Sequence, residues 1–244
     1  MTPEPGQFRT YRRTIYRVVE AQHRRSTERL LADLAEQDIL ESLIEQAKPR
    51  IPPAAQGLHH LLATPFRYGY RSETRFRRAG ERPGAFYASE KVETAIAETA
   101  YWQMRFLAAA PEAIPPRAIL EFWAFSIPVS VRRALDLSRP PLASREREWR
   151  NPADYSACQD FAGQARRIGA QLIRYRAVRD PARGFNVVLF DPAAFRAPVP
   201  GDAGTWHLRF TDDKLIAEAA FPSAVRFVFS FDQFALRAPG AARS

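Results

Sequence analysis

The chain is poor in cysteine and in long apolar runs, and each shortage excludes a class of protein. Its 244 residues contain one cysteine, Cys158, so no disulfide can form within the chain and no pair of thiols can build a CxxC redox or zinc site. No apolar run approaches the roughly 18 residues of a transmembrane helix, and the first residues lack the apolar stretch of a secretory signal. We therefore expect a cytoplasmic protein.

Several motifs that mark common enzyme classes are also absent. The chain has neither GxGxxG nor GxxxxGK[ST], which excludes the Rossmann dinucleotide fingerprint and the phosphate-binding P-loop. It lacks GxSxG, the nucleophile elbow of many hydrolases. Its four histidines show no HExxH spacing, so we predict no metal site. Any nucleotide must be held in another way.

Lysine is scarce as well, and arginine supplies the positive charge. The formal net charge is +9, and only Lys48, Lys91 and Lys214 among the 36 basic residues are lysine. Codon bias in a GC-rich genome accounts for this, since alanine and proline are also abundant. The alternative is an anionic partner, because the planar guanidinium forms paired hydrogen bonds with phosphate or carboxylate groups.

The N-terminal part shows helical spacing. Apolar residues recur three and four positions apart and predict helical structure over residues 10–48, with Ser26 or Thr27 as an N-cap between two helices; they are Leu30, Leu31, Leu34, Leu40, Leu43 and Ile44. Prolines 49, 52 and 53 then predict a linker. We therefore divide the chain into a helical N-terminal arm, residues 1–55, and a main domain, residues 56–244.

The main domain is predicted to be mixed α/β. Helical patterns occupy residues 90–107 and 152–169. Short apolar or alternating segments predict strands over residues 84–89, 119–127, 172–178, 185–190, 207–210, 215–219 and 225–231.

One region combines arginines, aromatic residues and a helix glutamate. Residues 64–82 carry six arginines interleaved with Phe66, Tyr68, Tyr70 and Phe76. This pattern also suits a nucleic-acid-binding surface, in which arginines contact phosphates and aromatic rings stack on bases. Farther along, Glu98 lies about 60° outside the apolar arc of its helix. A carboxylate there could face a cleft, although such a glutamate is ordinarily solvated.

The order of these residues resembles the RES domain, a family named for an arginine, a glutamate and a serine and best known from bacterial toxin–antitoxin pairs. The resemblance covers roughly residues 58–195. Eleven positions separate Tyr87 from Glu98. The segments that carry the resemblance are Pro65-Phe66-Arg67-Tyr68, Thr74-Arg75-Phe76, Phe86-Tyr87-Ala88-Ser89, Thr94-Ala95-Ile96-Ala97-Glu98, Tyr175-Arg176-Ala177-Val178-Arg179 and Asn186-Val187-Val188-Leu189.

The resemblance implies a fold like that of the ADP-ribosyltransferases, an α+β core with a mixed sheet flanked by helices. It also implies a toxin that consumes NAD as a substrate, with no permanently bound cofactor. The nicotinamide–ribose bond would be cleaved by hydrolysis or phosphorolysis, or ADP-ribose would be transferred to a protein. A small helix-turn-helix antitoxin is implied as the partner that blocks the NAD cleft.

The same resemblance implies roles for individual residues. Glu98 would oppose the positive charge that develops on the ribose as the bond breaks. Arg75 would bind the diphosphate, with Arg67 as the second candidate. Tyr87 would lie against the cationic nicotinamide ring. The remaining expected binding residues are Tyr68, Ser89 and Arg179.

The sequence departs from the family pattern at one position. Where the family usually carries the serine of Tyr-x-Ser-x-Arg, this chain has Ala177. A nearby hydroxyl, that of Ser89 or Tyr175, could compensate for the missing one. Alternatively, the chain is a catalytically silent relative retained for protein interaction.

Overall fold

The fold is built on one sheet. In a computed structural model that describes residues 2–21, 39, 42–44, 46–110, 115–211 and 213–238, eight strands join in this sheet. The strands are β1 (Arg9–Glu20), β2 (Phe86–Ser89), β3 (Leu120–Asp136), β4 (Leu172–Arg176), β5 (Phe185–Leu189), β6 (Gly201–Phe210), β7 (Lys214–Ala219) and β8 (Arg226–Ser230).

Helices lie in the connections between the strands. They are α1 (His60–Arg67), α2 (Val92–Ala108), α3 (Glu146–Trp149) and α4 (Ser156–Arg167). Short 3₁₀ turns occupy Pro5–Gln7, Pro53–Ala55, Leu142–Arg145, Pro192–Ala194 and Asp232–Phe234. Within the described residues, no helix combines the length and the apolarity needed to cross a bilayer.

Five of the strands close into a ring. The order in the sheet is β1-β2-β5-β4-β3-β6-β7-β8, and β1 also pairs with β3. That antiparallel pairing runs from Arg9 opposite Ala134 to Glu20 opposite Phe122. Strand β3 is long enough to continue past β1, so that its last residues pair with β4 in parallel. Its first residues pair with β6, from which β7 and β8 extend the sheet.

The helices pack on this sheet through apolar faces. Ile96, Ala100 and Met104 of α2 recur at intervals of four residues and are fully buried, as an amphipathic helix requires. They belong to one apolar cluster with Trp206 and Leu208 of β6. Helix α4 packs in a second cluster against β4 and β5, and α1 packs in a third with strands of the ring. Helix α2 is therefore fixed beside β2, with its remaining face open to a cleft.

The predicted mixed α/β class is confirmed, and so are most of its elements. The helices predicted over residues 90–107 and 152–169 correspond to α2 and α4. Each strand predicted after residue 84 corresponds to one strand of the sheet. The main difference is β3, which extends to Asp136 because it pairs with three partner strands.

The helical prediction is wrong for the first part of the N-terminal arm. Residues Arg9–Glu20 form β1, with Tyr11 and Ile15 buried. Tyr11 and Ile15 are four residues apart, a spacing that places them on one face of a helix and also on one face of a strand. Pairing with β3 decides in favour of the strand. The β-branched and aromatic residues from Thr10 to Val19 were the available strand signal.

The rest of the predicted arm is described only in part. Residues 42–44 and 46–47 are helical, in agreement with the prediction. The candidate N-caps Ser26 and Thr27 lie outside the described residues, as do Leu30, Leu31, Leu34 and Leu40. The boundary near residue 55 stays a prediction, although β1 belongs to the same sheet as the main domain.

Candidate active site

A cavity of about 310 Å³ lies between α2 and the sheet. Its floor is set by the strand register, because Tyr16 is the partner of Ser89, Ser89 of Asn186, and Asn186 of Tyr175. Residues directly opposite each other on neighbouring strands share one face of a sheet. These four side chains, from β1, β2, β5 and β4, therefore form a row that lines the cavity.

Glu98 projects from α2 into this cavity. Its Oε1 accepts a hydrogen bond from Asn186 Nδ2 at 2.8 Å, and the backbone N–H of Arg179 also donates to the carboxylate. Burial raises the pKa of Glu98, while these donors and the positive charges of Arg75 and Arg179 partly oppose that shift. This placement agrees with the prediction that the Glu98 side chain faces a cleft.

Ser89 and Asn186 form the polar layer beneath the carboxylate. Both side chains are buried, and Ser89 Oγ donates to Asn186 Oδ1 at 2.7 Å. Ser89 therefore reaches Glu98 through one amide group. Ala177 is buried, with its N–H bonded to the Gly184 carbonyl, and it does not line the cavity.

Arg75 lines the cavity but is held by backbone carbonyl groups. Its Nη1 donates to the carbonyl oxygens of Trp149 and Asn151, each at 2.8 Å. Its guanidinium lies 4.7 Å from the centre of the Tyr155 ring, which also lines the cavity. The segment between α3 and α4 thus determines the position of Arg75.

Arg179 is attached to the same segment. Its Nη2 donates to the Pro152 carbonyl at 2.6 Å, and its guanidinium lies 3.9 Å from the centre of the Tyr101 ring. The neighbouring Asp180 accepts hydrogen bonds from Thr94 Oγ1 and from the Gly184 N–H. Arg179 remains among the residues that line the cavity.

Tyr87 supports the turn that carries Arg75. Its hydroxyl lies 2.7 Å from Thr74 Oγ1 and accepts a hydrogen bond from the Phe76 N–H at 3.1 Å. Burial raises the pKa of Tyr87 to about 12, so the phenol is neutral at physiological pH. Its side chain lines the cavity, as a residue that contacts a bound ring would.

Arg17 of β1 is a cavity residue that the sequence patterns did not single out. Its Nη1 is buried and has no hydrogen-bond partner within the part of the chain that the structure describes. Burial lowers the pKa of Arg17, and its guanidinium lies 4.8 Å from the centre of the Phe86 ring. An arginine among β-branched residues of a strand was the only signal, and the helical prediction for this segment obscured it.

Arg67 and Tyr68 lie outside the cavity, in contrast to their predicted binding role. The Arg67 Nε donates to the Pro49 carbonyl, and the Arg67 guanidinium lies 5.9 Å from the centre of the Tyr68 ring. Phe66 is buried in the core at the end of α1, and this fixes the path of the two residues that follow. The structure therefore brings together Arg75, Tyr87, Ser89, Glu98 and Arg179, but not these two.

Three members of the nucleic-acid surface predicted in residues 64–82 are not available to a ligand. Phe66 and Phe76 are at most 1% exposed and cannot stack on bases. Arg77 is 2% exposed and donates hydrogen bonds to the carbonyls of Tyr70 and Arg78. These residues belong to the interior of the protein.

Comparison with known proteins identifies the family. No curated protein is a significant match to this chain. A chain in the crystal structure of the M. tuberculosis MbcT–MbcA toxin–antitoxin complex is similar, with 17% identity, a TM-score of 0.47, and 83% of this chain and 87% of that chain covered. The family model described as RES domain matches residues 49–211, two thirds of the sequence. The chain therefore belongs to the RES domain family.

Proposed function

We propose that this protein cleaves the nicotinamide–ribose bond of NAD and acts as the toxin of a toxin–antitoxin pair. The observation that carries the proposal is the cavity in which the Glu98 carboxylate lies near the arginines Arg75 and Arg179 and the aromatic ring of Tyr87. In this cavity a carboxylate can stabilise positive charge, arginines can donate hydrogen bonds to an anion, and an aromatic ring can stack on a base. These properties suit NAD, in which a positively charged base is attached to a ribose diphosphate.

Glu98 supplies the electrostatic part of the reaction. When the C–N bond breaks, its electron pair passes to the nicotinamide nitrogen, which becomes neutral, and positive charge develops on the ribose. A carboxylate beside the ribose stabilises that charge, as in glycoside hydrolysis. A water or phosphate oxygen then forms the new bond to the ribose carbon. Water loses a proton in this step, and the product is ADP-ribose or its 1-phosphate.

Arg17, Arg75 and Arg179 are the candidates for binding the diphosphate. A buried N–H without a hydrogen-bond partner, such as that of Arg17 Nη1, is costly, and a phosphate oxygen that reached it would remove that cost. By contrast, Arg75 Nη1 and Arg179 Nη2 already donate to backbone carbonyls. Arg17 Nη1 is therefore the donor without a partner within the described residues, although its guanidinium packs over Phe86, and Arg75 and Arg179 add positive charge to the cavity.

Aromatic side chains are the candidates for binding the nicotinamide base. The nicotinamide ring of NAD is cationic and is attracted to the face of an aromatic ring, for which Tyr87 is the candidate. Trp102 also lines the cavity, one turn after Glu98 on α2, and is 49% exposed. A bound molecule that extends beyond the cavity would pass this indole.

The first experiment measures free nicotinamide after incubation of the purified protein with NAD, with and without phosphate. We expect release by the wild type and at least a hundredfold slower release by Glu98→Gln, since donors and charges of this kind contribute roughly 10²–10³ in rate. Glu93→Gln, an exposed position in the first turn of α2, is the matched control. Equal release by wild type and Glu98→Gln would refute the mechanism.

Further readouts separate the related activities. Acceleration by phosphate indicates phosphorolysis, and transfer of label from adenine-labelled NAD to a protein indicates ADP-ribosyl transfer. If the wild type is inactive and Ala177→Ser is active, the chain is a silent relative. Growth arrest on expression, relieved by a protein encoded beside it, tests the toxin role and the antitoxin partner.

A further inference from the structure

We infer that Asn186, held by a hydrogen bond from Ser89, is a positioning residue that fixes the Glu98 carboxylate toward the cavity. The inference rests on the proposed function, because it assigns Asn186 to the residue that would stabilise the ribose cation. It goes beyond the arginine, glutamate and serine that name the family. The assignment follows from hydrogen-bond geometry and strand register.

The amide of Asn186 can take only one orientation at this position. A carboxylate only accepts hydrogen bonds, so the NH₂ end of the amide must face Glu98, and Nδ2 lies 2.8 Å from Oε1. The oxygen end then needs a donor, which is the Ser89 hydroxyl at 2.7 Å. Rotating the amide by 180° would place two acceptor oxygens against each other. The carboxylate therefore determines which end of Asn186 faces it, and the Ser89 hydroxyl holds the other end.

The backbone holds this relay in place. Ser89 and Asn186 are directly opposite each other in the antiparallel pairing of β2 with β5, so their separation is fixed by the sheet. Both are less than 6% exposed, so water does not compete for their hydrogen bonds. Three residues after Ser89, α2 begins and carries Glu98 back over the same strands.

The relay favours the charged form of Glu98. The charged and titratable groups that face the carboxylate are Arg75, Arg179 and Tyr175, and the backbone N–H of Arg179 is its second donor. Burial disfavours the carboxylate, and the Asn186 N–H is the largest influence that opposes burial. Removing this donor should raise the pKa of Glu98 further and release its side chain from one position.

The test is the pH profile of nicotinamide release by Asn186→Leu, Ser89→Ala and Ser89→Thr. For Asn186→Leu we expect the rate at neutral pH to fall roughly tenfold or more, as loss of a hydrogen bond to a charged group implies. The acidic limb of the profile should move to higher pH, with little change in KM. Ser89→Ala should show a smaller shift in the same direction. Ser89→Thr keeps the hydroxyl, so its acidic limb should lie at the same pH as that of the wild type.

Gln171→Leu provides the matched control. This amide also bridges two groups, Asp191 and the backbone of β3, but it does not line the cavity. Its removal should leave the acidic limb unchanged. A uniform loss of rate at all pH values in Asn186→Leu and Ser89→Ala, with the limb in place, would overturn the inference.

A measurement that needs no turnover distinguishes the positioning role of Asn186 from the proposed cleavage of NAD. Carbon-13 NMR titration of the Glu98 carboxyl, identified by its absence in Glu98→Gln, reports the pKa of this group directly. We expect the pKa to be higher in Asn186→Leu and in Ser89→Ala than in the wild type. An unchanged pKa would refute the positioning role, whereas an inactive wild type with the expected pKa shifts would refute only the proposed NAD cleavage.

Discussion

At the scale of single residues, the sequence pointed to the proposed catalytic carboxylate more directly than to the side chains that hold it. Glu98, Arg75 and Tyr87 follow one another within 24 positions, so their order and spacing could be recognised. Arg17 and Asn186 come from strands far apart in the chain, and only the pairing of β1, β2 and β5 brings them to one cavity. Register between distant strands is not encoded in local spacing, and for this reason the place of these two residues in the cavity was not predicted.

The buried carboxylate of Glu98 should reduce the stability of the folded protein at neutral pH. Because folding raises the pKa of Glu98, the folded state binds this proton more tightly than the unfolded chain. Stability therefore falls as pH rises from the ordinary value of 4.5 through the raised one. We expect Glu98→Gln to have a higher Tm than the wild type at pH 7, with a difference that disappears below pH 4.5.

Thermal unfolding across this pH range checks the expectation. Gln keeps an oxygen that can accept from Asn186, so the substitution removes the charge with little change in shape. Exposed Glu93→Gln should show no such pH-dependent difference. A lower Tm of Glu98→Gln at pH 7 would mean that the Asn186 and Arg179 donors more than offset the cost of burial.

Arg17→Met tests the guanidinium whose Nη1 has no hydrogen-bond partner within the described residues. Methionine keeps most of the apolar stem beside Phe86, and removal of a buried cation should not lower the Tm. If Arg17 binds a phosphate, KM for NAD should rise roughly ten- to a hundredfold, the effect of losing a charge-assisted hydrogen bond, with kcat nearly unchanged. Exposed Arg12→Met on the same strand is the control, and an unchanged KM would exclude Arg17 from binding.

At the scale of elements, the site depends on how α2 is attached to β5. The helices were predictable because their buried residues repeat within one element, as Ile96, Ala100 and Met104 show. The attachment of α2 to β5 could not be predicted from the sequence, because it uses Asp180 and Gly184 from a turn far along the chain. Asp180 accepts from Thr94 near the start of α2 at 2.8 Å and from the Gly184 N–H at 3.0 Å. This turn leads directly into β5 and Asn186.

Gly184→Ala should separate these two elements. A Cβ at this position would lie 2.2 Å from Thr94 Oγ1 and 2.6 Å from Asp180 Oδ2, so these two side chains must shift and their hydrogen bond is disturbed. We expect a loss of about 1–3 kcal/mol in the free energy of unfolding and slower nicotinamide release. Chemical denaturation and the activity assay measure the two effects.

Gly163→Ala is the matched control for this substitution. Gly163 lies within α4, and the nearest atom to an added Cβ is 4.0 Å away, so alanine fits. Alanine should stabilise the helix by roughly 0.5–1 kcal/mol. Equal effects of the two substitutions would contradict the close contact at Gly184.

At the scale of the whole molecule, an ion-pair cluster connects the strands of the ring. Arg174 of β4 donates to both carboxylate oxygens of Glu90, at 2.7 and 3.0 Å, and to Asp136 of β3 at 3.1 Å. Tyr11 of β1 donates to the same Glu90 at 3.1 Å. The abundance of arginine was visible in the sequence, but composition cannot show which guanidinium groups are structural.

Arg174→Met should destabilise the folded protein by about 1.5–3 kcal/mol, because it removes the Arg174 hydrogen bonds of two mostly buried carboxylates and leaves them the longer ion pairs with Arg13 and Arg139. The contrasting variant is Arg78→Met. Arg78 pairs with Asp160 where both side chains are more than half exposed, and such pairs contribute roughly 0–1 kcal/mol. Similar losses for both variants in chemical denaturation would argue against the cluster as a structural centre.

The closure of the ring by β1 also limits where the chain can be truncated. The region matched by the family model, residues 49–211, contains β2 and β3 but not β1, the strand that joins them. Without β1, both strands would expose unpaired N–H and C=O groups, which readily pair with other chains. The same cut would remove Tyr16 and Arg17 from the cavity. We therefore expect a fragment limited to the matched region to aggregate, whereas the chain that includes β1 should stay in solution.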